Sequence, residues 1–292
     1  WPDGLSEDKS RNVIEEANTV IVKIDFEGDN FILSDTQIDF LFQMHKNGKK
    51  IIAVLPPSCD LIDKKLEQSC SVLMTGLVID LSSMKVFLNI LTGGTVPSGK
   101  LTHTIYFNDA ALSNVAYPFG YGLSYTTFEY TDLVLDKNKV RFSLTNTGEI
   151  AGHEIAQLYY YNNYSPEEKK LIGFSKVHLM AGETKTCEIE FDERTFQTFN
   201  TEIYEWQSIS RNDFTIEVSA AKNQPQLFIS MRSEGSQEPK TVLPAEKVDR
   251  PVKRVNLKIF KKINWKLIAT ILLALFINLC LLSTLRYTIH KD

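Results

Sequence analysis

Tyr117-Pro-Phe-Gly-Tyr-Gly-Leu-Ser-Tyr-Thr-Thr-Phe-Glu-Tyr130 sets six aromatic side chains and two glycines into one short stretch. Gly120 and Gly122 allow sharp backbone turns there. The rings at 117, 119, 121, 125, 128 and 130 are large enough to staple two domains together by burying their surfaces. The chain changes character across this stretch, so it reads as a junction.

Upstream, residues 1–105 read as an α/β sandwich domain. Val20-Ile-Val-Lys-Ile24 and Ile51-Ile-Ala-Val-Leu55 are short apolar runs of the kind buried in a parallel sheet, and Val72-Leu-Met74 fits a third strand. Between them Ser34 opens a helix with Gln37 at the capping-box position. Ile38, Leu41, Phe42 and His45 follow on one helical face, and Asn47-Gly48 supplies a stop. Ser82 and Ser83 are in place to cap a further helix carrying Val86, Phe87, Ile90 and Leu91, closed by Gly93-Gly94. Strands alternating with helices argue for a parallel sheet covered by helices.

Residues 106–130 form the interdomain segment. From 131 to 232 the period shortens to two: Val140, Phe142 and Leu144 alternate with polar residues, and so do Cys187, Ile189 and Phe191. Ile155 to Tyr161 and Phe214-Thr-Ile-Glu-Val218 repeat the theme, with a turn at Thr145-Asn-Thr-Gly148. This pattern predicts an all-β sandwich of roughly 100 residues. Residues 233–263 lose apolar periodicity and read as a linker. Residues 264–288 then predict a C-terminal transmembrane helix. Its core, Leu267 to Leu285, carries no charge and spans about 28 Å, close to a hydrocarbon core of about 30 Å. Trp265 and Tyr287 flank it as interfacial aromatics do.

Bulk composition narrows the function classes. The net charge of −4 leaves no basic footprint for nucleic acid, and a nucleic-acid partner is not expected. Cys59, Cys70, Cys187 and Cys280 include no C-x-x-C pair, which disfavours a zinc ribbon or a thioredoxin motif. Cys59 and Cys70 are near enough in sequence to pair, but nothing in the sequence forces it. His153-Glu-Ile-Ala-Gln157 begins like a zinc-binding H-E-x-x-H, yet position 157 is Gln and the context is a strand, so no metal site is expected. Asn163-Tyr-Ser165 is an N-glycosylation triplet. Tyr159-Tyr-Tyr161 reads either as a sugar-stacking surface or as one buried ring between two exposed ones.

The 117–130 stretch resembles the F-G-x-G-L-S-Y-T-x-F-x-Y junction of glycoside hydrolase family 3, the β-glucosidase and β-xylosidase family. Val96-Pro-Ser-Gly-Lys-Leu101 resembles that family's N-P-S-G-K-L-P. Residues 145–159 resemble its N-T-G-x-x-A-G-x-E-V-x-Q-L-Y, and Leu171-Ile-Gly-Phe-Ser-Lys-Val177 with Ala181-Gly-Glu183 matches its L-x-G-F-x-K-V and P-G-E. The resemblance covers roughly residues 15–230. It implies a fibronectin type III-like or immunoglobulin-like sandwich after the α/β domain, a carbohydrate substrate, no cofactor, and retaining hydrolysis by two carboxylates. The family's nucleophilic aspartate lies in an N-terminal (β/α)₈ barrel. Such a barrel needs about 250 residues, so it is expected upstream of Trp1 or on a separate chain.

The resemblance also suggests the acid/base. Phe26-Glu-Gly-Asp-Asn30 follows the first strand where the family carries a G-E-G-x-D-R loop, so Glu27 is the counterpart of its general acid/base glutamate and Asp29 a candidate for binding sugar hydroxyls. The loop is shorter than the family's, and Asn30 stands where an arginine is common. The family's G-Q-E-x-G segment is replaced by Ile79-Asp-Leu-Ser-Ser83. The bland alternative for Glu27 is a solvated loop carboxylate. Two readings follow: the C-terminal portion of a membrane-anchored retaining β-glycosidase, or a non-catalytic carbohydrate-binding or surface interaction module. The domains are expected outside the cytoplasm. The flanking charges point the other way: Lys253, Arg254, Lys258, Lys261, Lys262 and Lys266 precede the span, and only Arg286 and Lys291 follow it.

Overall fold

The computed structural model describes residues 17–24, 26–27, 30–31, 35–76, 83–108, 114–163, 165–166, 168–208 and 214–231. The predicted linker and transmembrane helix, 233–263 and 264–288, lie outside them, as do Ser34, Ser82 and Cys280. Among the described residues no helix is long and apolar enough to cross a membrane. The described residues divide into two compact units, one within 17–58 and 64–92, the other formed by 59–63 and 93–231.

In chain order the elements begin with β1 (Thr19–Lys23), β2 (Phe26–Glu27), β3 (Asn30–Phe31), α1 (Asp35–Lys46) and β4 (Lys50–Val54). Next come β5 (Leu61–Ile62), α2 (Lys64–Ser69), β6 (Val72–Met74), α3 (Met84–Leu91), β7 (Ile105–Phe107) and β8 (Val115–Tyr117). The remaining strands are β9 (Phe128–Asp136), β10 (Lys139–Asn146), β11 (Gly152–Asn162), β12 (Lys170–Leu179), β13 (Thr184–Glu190), β14 (Gln197–Asn200), β15 (Glu205–Ser208), β16 (Phe214–Ala221) and β17 (Gln224–Met231).

In the first unit, β4 lies between β1 and β6, parallel to both, with Val20 opposite Ile51 and Ile52 opposite Val72. Ile51, Ile52, Ala53 and Val54 are all buried, as a central strand covered on both faces requires. Ile52 and Val54 pack with Phe87 and Leu91 of α3. Helix α1 buries Ile38, Leu41 and Met44 rather than the predicted Ile38, Leu41, Phe42 and His45. Phe42 is half-buried at the edge of that face, with the Lys46 ammonium 4.6 Å from its ring centre. A three-residue spacing fits the sequence equally well, and tertiary packing chooses between the two faces. The stop at Gly48 behaves as expected. Gly48 takes φ +83°, its N–H donates to the His45 carbonyl, and the Lys49 N–H donates to that of Met44. Ser83 precedes α3 without a side-chain capping bond.

The second unit contains the expected β-sandwich. One sheet runs β13-β10-β9 and the other β12-β11-β16-β17, all antiparallel. Tyr130, Val140, Phe142 and Leu144 from the first sheet meet Ala156, Leu158, Tyr160, Ile216 and Val218 from the second in one core. The tyrosine run overturns both sequence readings. Tyr159 and Tyr160 are both buried and Tyr161 is half-buried, because β11 is covered on its two faces. His153 sits on β11 opposite His178 of β12, so its neighbourhood is strand, not helix. A separate small sheet joins β5 in parallel to β7, which pairs antiparallel with β8.

The stretch 117–130 lies inside this second unit and is tied down along its length. Gly120 N–H donates to the Leu101 carbonyl and Leu101 N–H to that of Tyr121, both at 2.8 Å. Lys222 N–H donates to the Phe119 carbonyl at 3.0 Å. The Gln157 amide of β11 donates to the carbonyls of Gly120 (3.0 Å) and Ala220 (2.9 Å), and its Oε1 accepts from the Tyr159 hydroxyl. Beside it, Lys100 Nζ lies 3.0 Å from Glu154 Oε1, which also accepts from the Tyr130 hydroxyl at 3.1 Å. The two charged side chains are only 11% and 6% exposed. Burial, first, and the Glu154 carboxylate, second, push the Tyr130 phenol well above its usual range.

Two stability outcomes follow from these contacts. Gly120 has φ +76°, and a Cβ there would lie 2.0 Å from Gln157 Oε1, whereas Gly182, with φ +74°, has open space around it. Gly182→Ala is expected to cost about 1–2 kcal/mol from the left-handed backbone alone. Gly120→Ala should cost roughly 1–3 kcal/mol more from overpacking, read by urea unfolding of both variants. Glu154→Gln strands the Lys100 ammonium and should cost about 3–5 kcal/mol. The double variant Lys100→Met/Glu154→Gln should recover part of that loss in the same titration, and equal stability of the single variant and wild type would dismiss the ion pair as a structural element.

Candidate functional site

Strand β1 runs parallel to β4, so its carboxyl end at Lys23 is the end where α/β sheets present functional loops. The β2–β3 pair follows in sequence, with Phe26 opposite Phe31 and Glu27 opposite Asn30. Glu27 therefore sits on a tight antiparallel ribbon, with only residues 28 and 29 between the paired positions. Asp29 and the replacement segment 79–82 lie outside the described residues.

The second polar constellation covers the outward face of β11 and β16. Register pairs Gln157 with Ser219, Tyr159 with Glu217 and Tyr161 with Thr215. Glu217 is only 2% exposed and is met by Lys169 Nζ at 2.6 Å and by the Ser219 hydroxyl. The Lys169 ammonium also sits 5.0 Å from the Tyr161 ring centre, and the Thr215 hydroxyl donates to Asn163 Oδ1 at 2.7 Å. That bond engages the side chain of the predicted glycosylation asparagine. Desolvation raises the Tyr159 and Tyr161 phenols, with the Glu217 charge adding to both. Each charged group here has a partner, so the arrangement suits anchoring rather than proton transfer.

The sequence reading placed Lys100, Glu154 and Gln157 within family motifs without giving them a role, and did not single out Lys169 or Glu217. The available signal was a charged or amide residue set into an otherwise buried strand, as Glu217 is within Phe214–Ala221. Cys59, Cys70 and Cys187 are buried and form no disulfide, so the possible Cys59–Cys70 bridge is not made. Burial first, with the Asp60 charge adding to it, pushes the Cys59 thiol up to about 11. His103 Nε2 lies 2.8 Å from the Cys59 carbonyl and fixes that corner. Among the described residues no group of three or more His, Cys, Asp or Glu side chains could hold a metal ion.

Residues 154–221 match the fibronectin type III-like domain family. The chain is 39% identical over 127 residues to thermostable β-glucosidase B of Acetivibrio thermocellus, covering 40% of this chain and 17% of the relative. It is 24% identical over 256 residues to an exo-α-(1→6)-L-arabinopyranosidase of Bifidobacterium longum, covering 74% and 34%. The chain thus spans no more than about a third of these relatives' length. Among solved structures, the β-glucosidase of Kluyveromyces marxianus superposes with a TM-score of 0.66 at 23% identity, over 80% of this chain and 34% of that one. The β-glucosidase of Chaetomella raphigera gives 0.65 at 22% identity, over 78% and 41%. Those two likenesses concern the fold. The sequence matches show that residues 154–221 are a fibronectin type III-like domain and that the chain is homologous to the C-terminal part of glycoside hydrolase family 3 β-glucosidases and xylosidases.

Proposed function

We propose that the chain is the C-terminal portion of a membrane-anchored retaining β-glycosidase that hydrolyses O-glycosidic bonds. The observation that carries this reading is the 39% identity, over 127 residues, to a β-glucosidase. In this reading a (β/α)₈ barrel outside the chain supplies the nucleophilic aspartate, and Glu27 is the general acid/base. Glu27 protonates the leaving glycosidic oxygen while the nucleophile attacks the anomeric carbon. It then takes a proton from the water that releases the sugar. Asp29 binds a sugar hydroxyl in the same loop, and the chemistry requires no cofactor.

The anchor is the uncharged run 267–285, with the folded domains outside the cytoplasm. The lysine-rich approach to the run opposes that orientation, but a large translocated domain can override local charge. The observation favouring a non-catalytic carbohydrate-binding module instead is the short β2–β3 connection, with Asn30 opposite Glu27.

In the full-length protein, Glu27→Gln is expected to lower turnover of aryl β-glycosides at least about a hundredfold, measured as nitrophenol release. Unchanged turnover would remove Glu27 from the mechanism, and no turnover in the wild type would favour the binding module. Truncation after residue 232 is expected to move the protein from the membrane pellet to the supernatant on ultracentrifugation. Retention in the pellet would remove 267–285 as the anchor.

A further inference from the structure

Strands β14 and β15 form a hairpin whose aromatic side chains do not join the core. Phe199 lies directly opposite Trp206, with ring centres 5.4 Å apart, and Tyr204 approaches Phe199 edge-on at 6.4 Å. Phe199, Tyr204 and Trp206 are 41%, 79% and 52% exposed. The root of the hairpin behaves in the opposite way. Phe196 is buried against Tyr160, Phe191 and Phe214, so the ribbon is anchored in the sandwich while its rings stand in water.

The tip is ordered by its own polar bonds. Asn200 Oδ1 accepts from the Glu202 N–H at 2.9 Å, and Asn200 Nδ2 donates to Gln207 Oε1 at 3.1 Å. Tyr204 adopts φ +55°, a left-handed conformation that disfavours a bulky residue. A ring held outward at a conformational cost, in contact with a second and near a third, is a pre-ordered surface, and pre-ordering lowers the entropy lost on binding.

The surroundings narrow the occupant. Arg194 lies 5.9 Å from the Trp206 ring, and Glu202 and Glu205 sit on the turn and the second strand. Two carboxylates against one guanidinium disfavour an anionic polymer or an anionic lipid surface. Three rings and the exposed Ile203 side chain, rimmed by amides and charges, fit a ligand that is apolar on its faces and hydroxylated at its edges. A pyranose ring has that character.

We propose that the β14–β15 hairpin binds neutral oligosaccharide or polysaccharide chains by stacking sugar rings on Phe199, Tyr204 and Trp206. The proposal rests on the carbohydrate reading of the chain, but not on catalysis by it. The test is native affinity electrophoresis of the full-length protein in gels cast with mixed-linkage β-glucan or with xylan. The expected result is retarded migration in at least one of the two, with Trp206→Ala and Tyr204→Asn each weakening it at least tenfold. Asn tolerates the left-handed backbone, so the second variant removes the ring without unfolding the turn.

Migration unaffected by either polysaccharide, or retardation that survives Tyr204→Asn, overturns the proposal. Retardation without hydrolysis of aryl glycosides defeats the catalytic proposal alone, and hydrolysis without retardation defeats only this one.

Discussion

The carboxylate of Glu154 is the constraint on which the second unit depends. It is buried on the same face of β11 as Ala156 and Leu158, where an unpaired charge would cost several kcal/mol. Two groups from elsewhere in the chain meet it: the Lys100 ammonium and the Tyr130 hydroxyl. Lys100 belongs to the Val96–Leu101 segment, and Tyr130 ends the aromatic stretch. The approach of the chain to the sandwich is therefore fixed by the demand that one buried carboxylate be satisfied. Two hydrophobic surfaces could slide past each other at little cost, but a buried ion pair of this kind accepts one register.

The same logic operates on the other face of β11. Gln157 offers an amide with two donors and an acceptor, and all are used: two by the carbonyls of Gly120 and Ala220, one by the Tyr159 hydroxyl. Only a residue without Cβ can approach that amide so closely, which explains Gly120. Gly122 answers a parallel demand, since a Cβ there would lie 2.1 Å from the Gly99 carbonyl. At the Asn146 corner, Asn146 Nδ2 donates to the carbonyls of Ile150 and Leu179, while Thr126 Oγ1 donates to Asn146 Oδ1. The turn after β10 is thereby joined to the end of the same aromatic stretch.

What the sequence discloses and what it hides follow from the range of the interactions. β4 is legible because a β-branched run ended by Pro56-Pro57 is a local signal, and β10 and β13 because alternation is local too. The stripe on α1 is read correctly at Ile38 and Leu41, but Met44 takes the inner place given to Phe42 and His45, since tertiary packing and not the helix decides which face turns inward. The tyrosines of β11 are misread because a strand covered on both faces gives no alternation of exposure. The hairpin β14–β15 is missed because its rings pack on one another rather than on a periodic core. Glu27 is placed by family resemblance, and the backbone adds only its pairing with Asn30. Nothing in a linear sequence announces that Lys100 and Glu154 meet, because the encounter requires the sandwich to exist first.

The family match begins at residue 154, on the strand that carries both Glu154 and Gln157. Strands β9 and β10 lie before it, yet they contribute Tyr130, Val140, Phe142 and Leu144 to the same core. The segment between Val96 and Thr126 contributes no large share of that core, but it satisfies the polar groups that β11 buries. Leaving a buried donor or acceptor unmet costs about as much as losing a well-packed methyl group or more. The sandwich and the stretch that leads into it are thus one cooperative structure. The aromatic–glycine motif is retained in that structure by backbone carbonyls and a missing Cβ as much as by its rings.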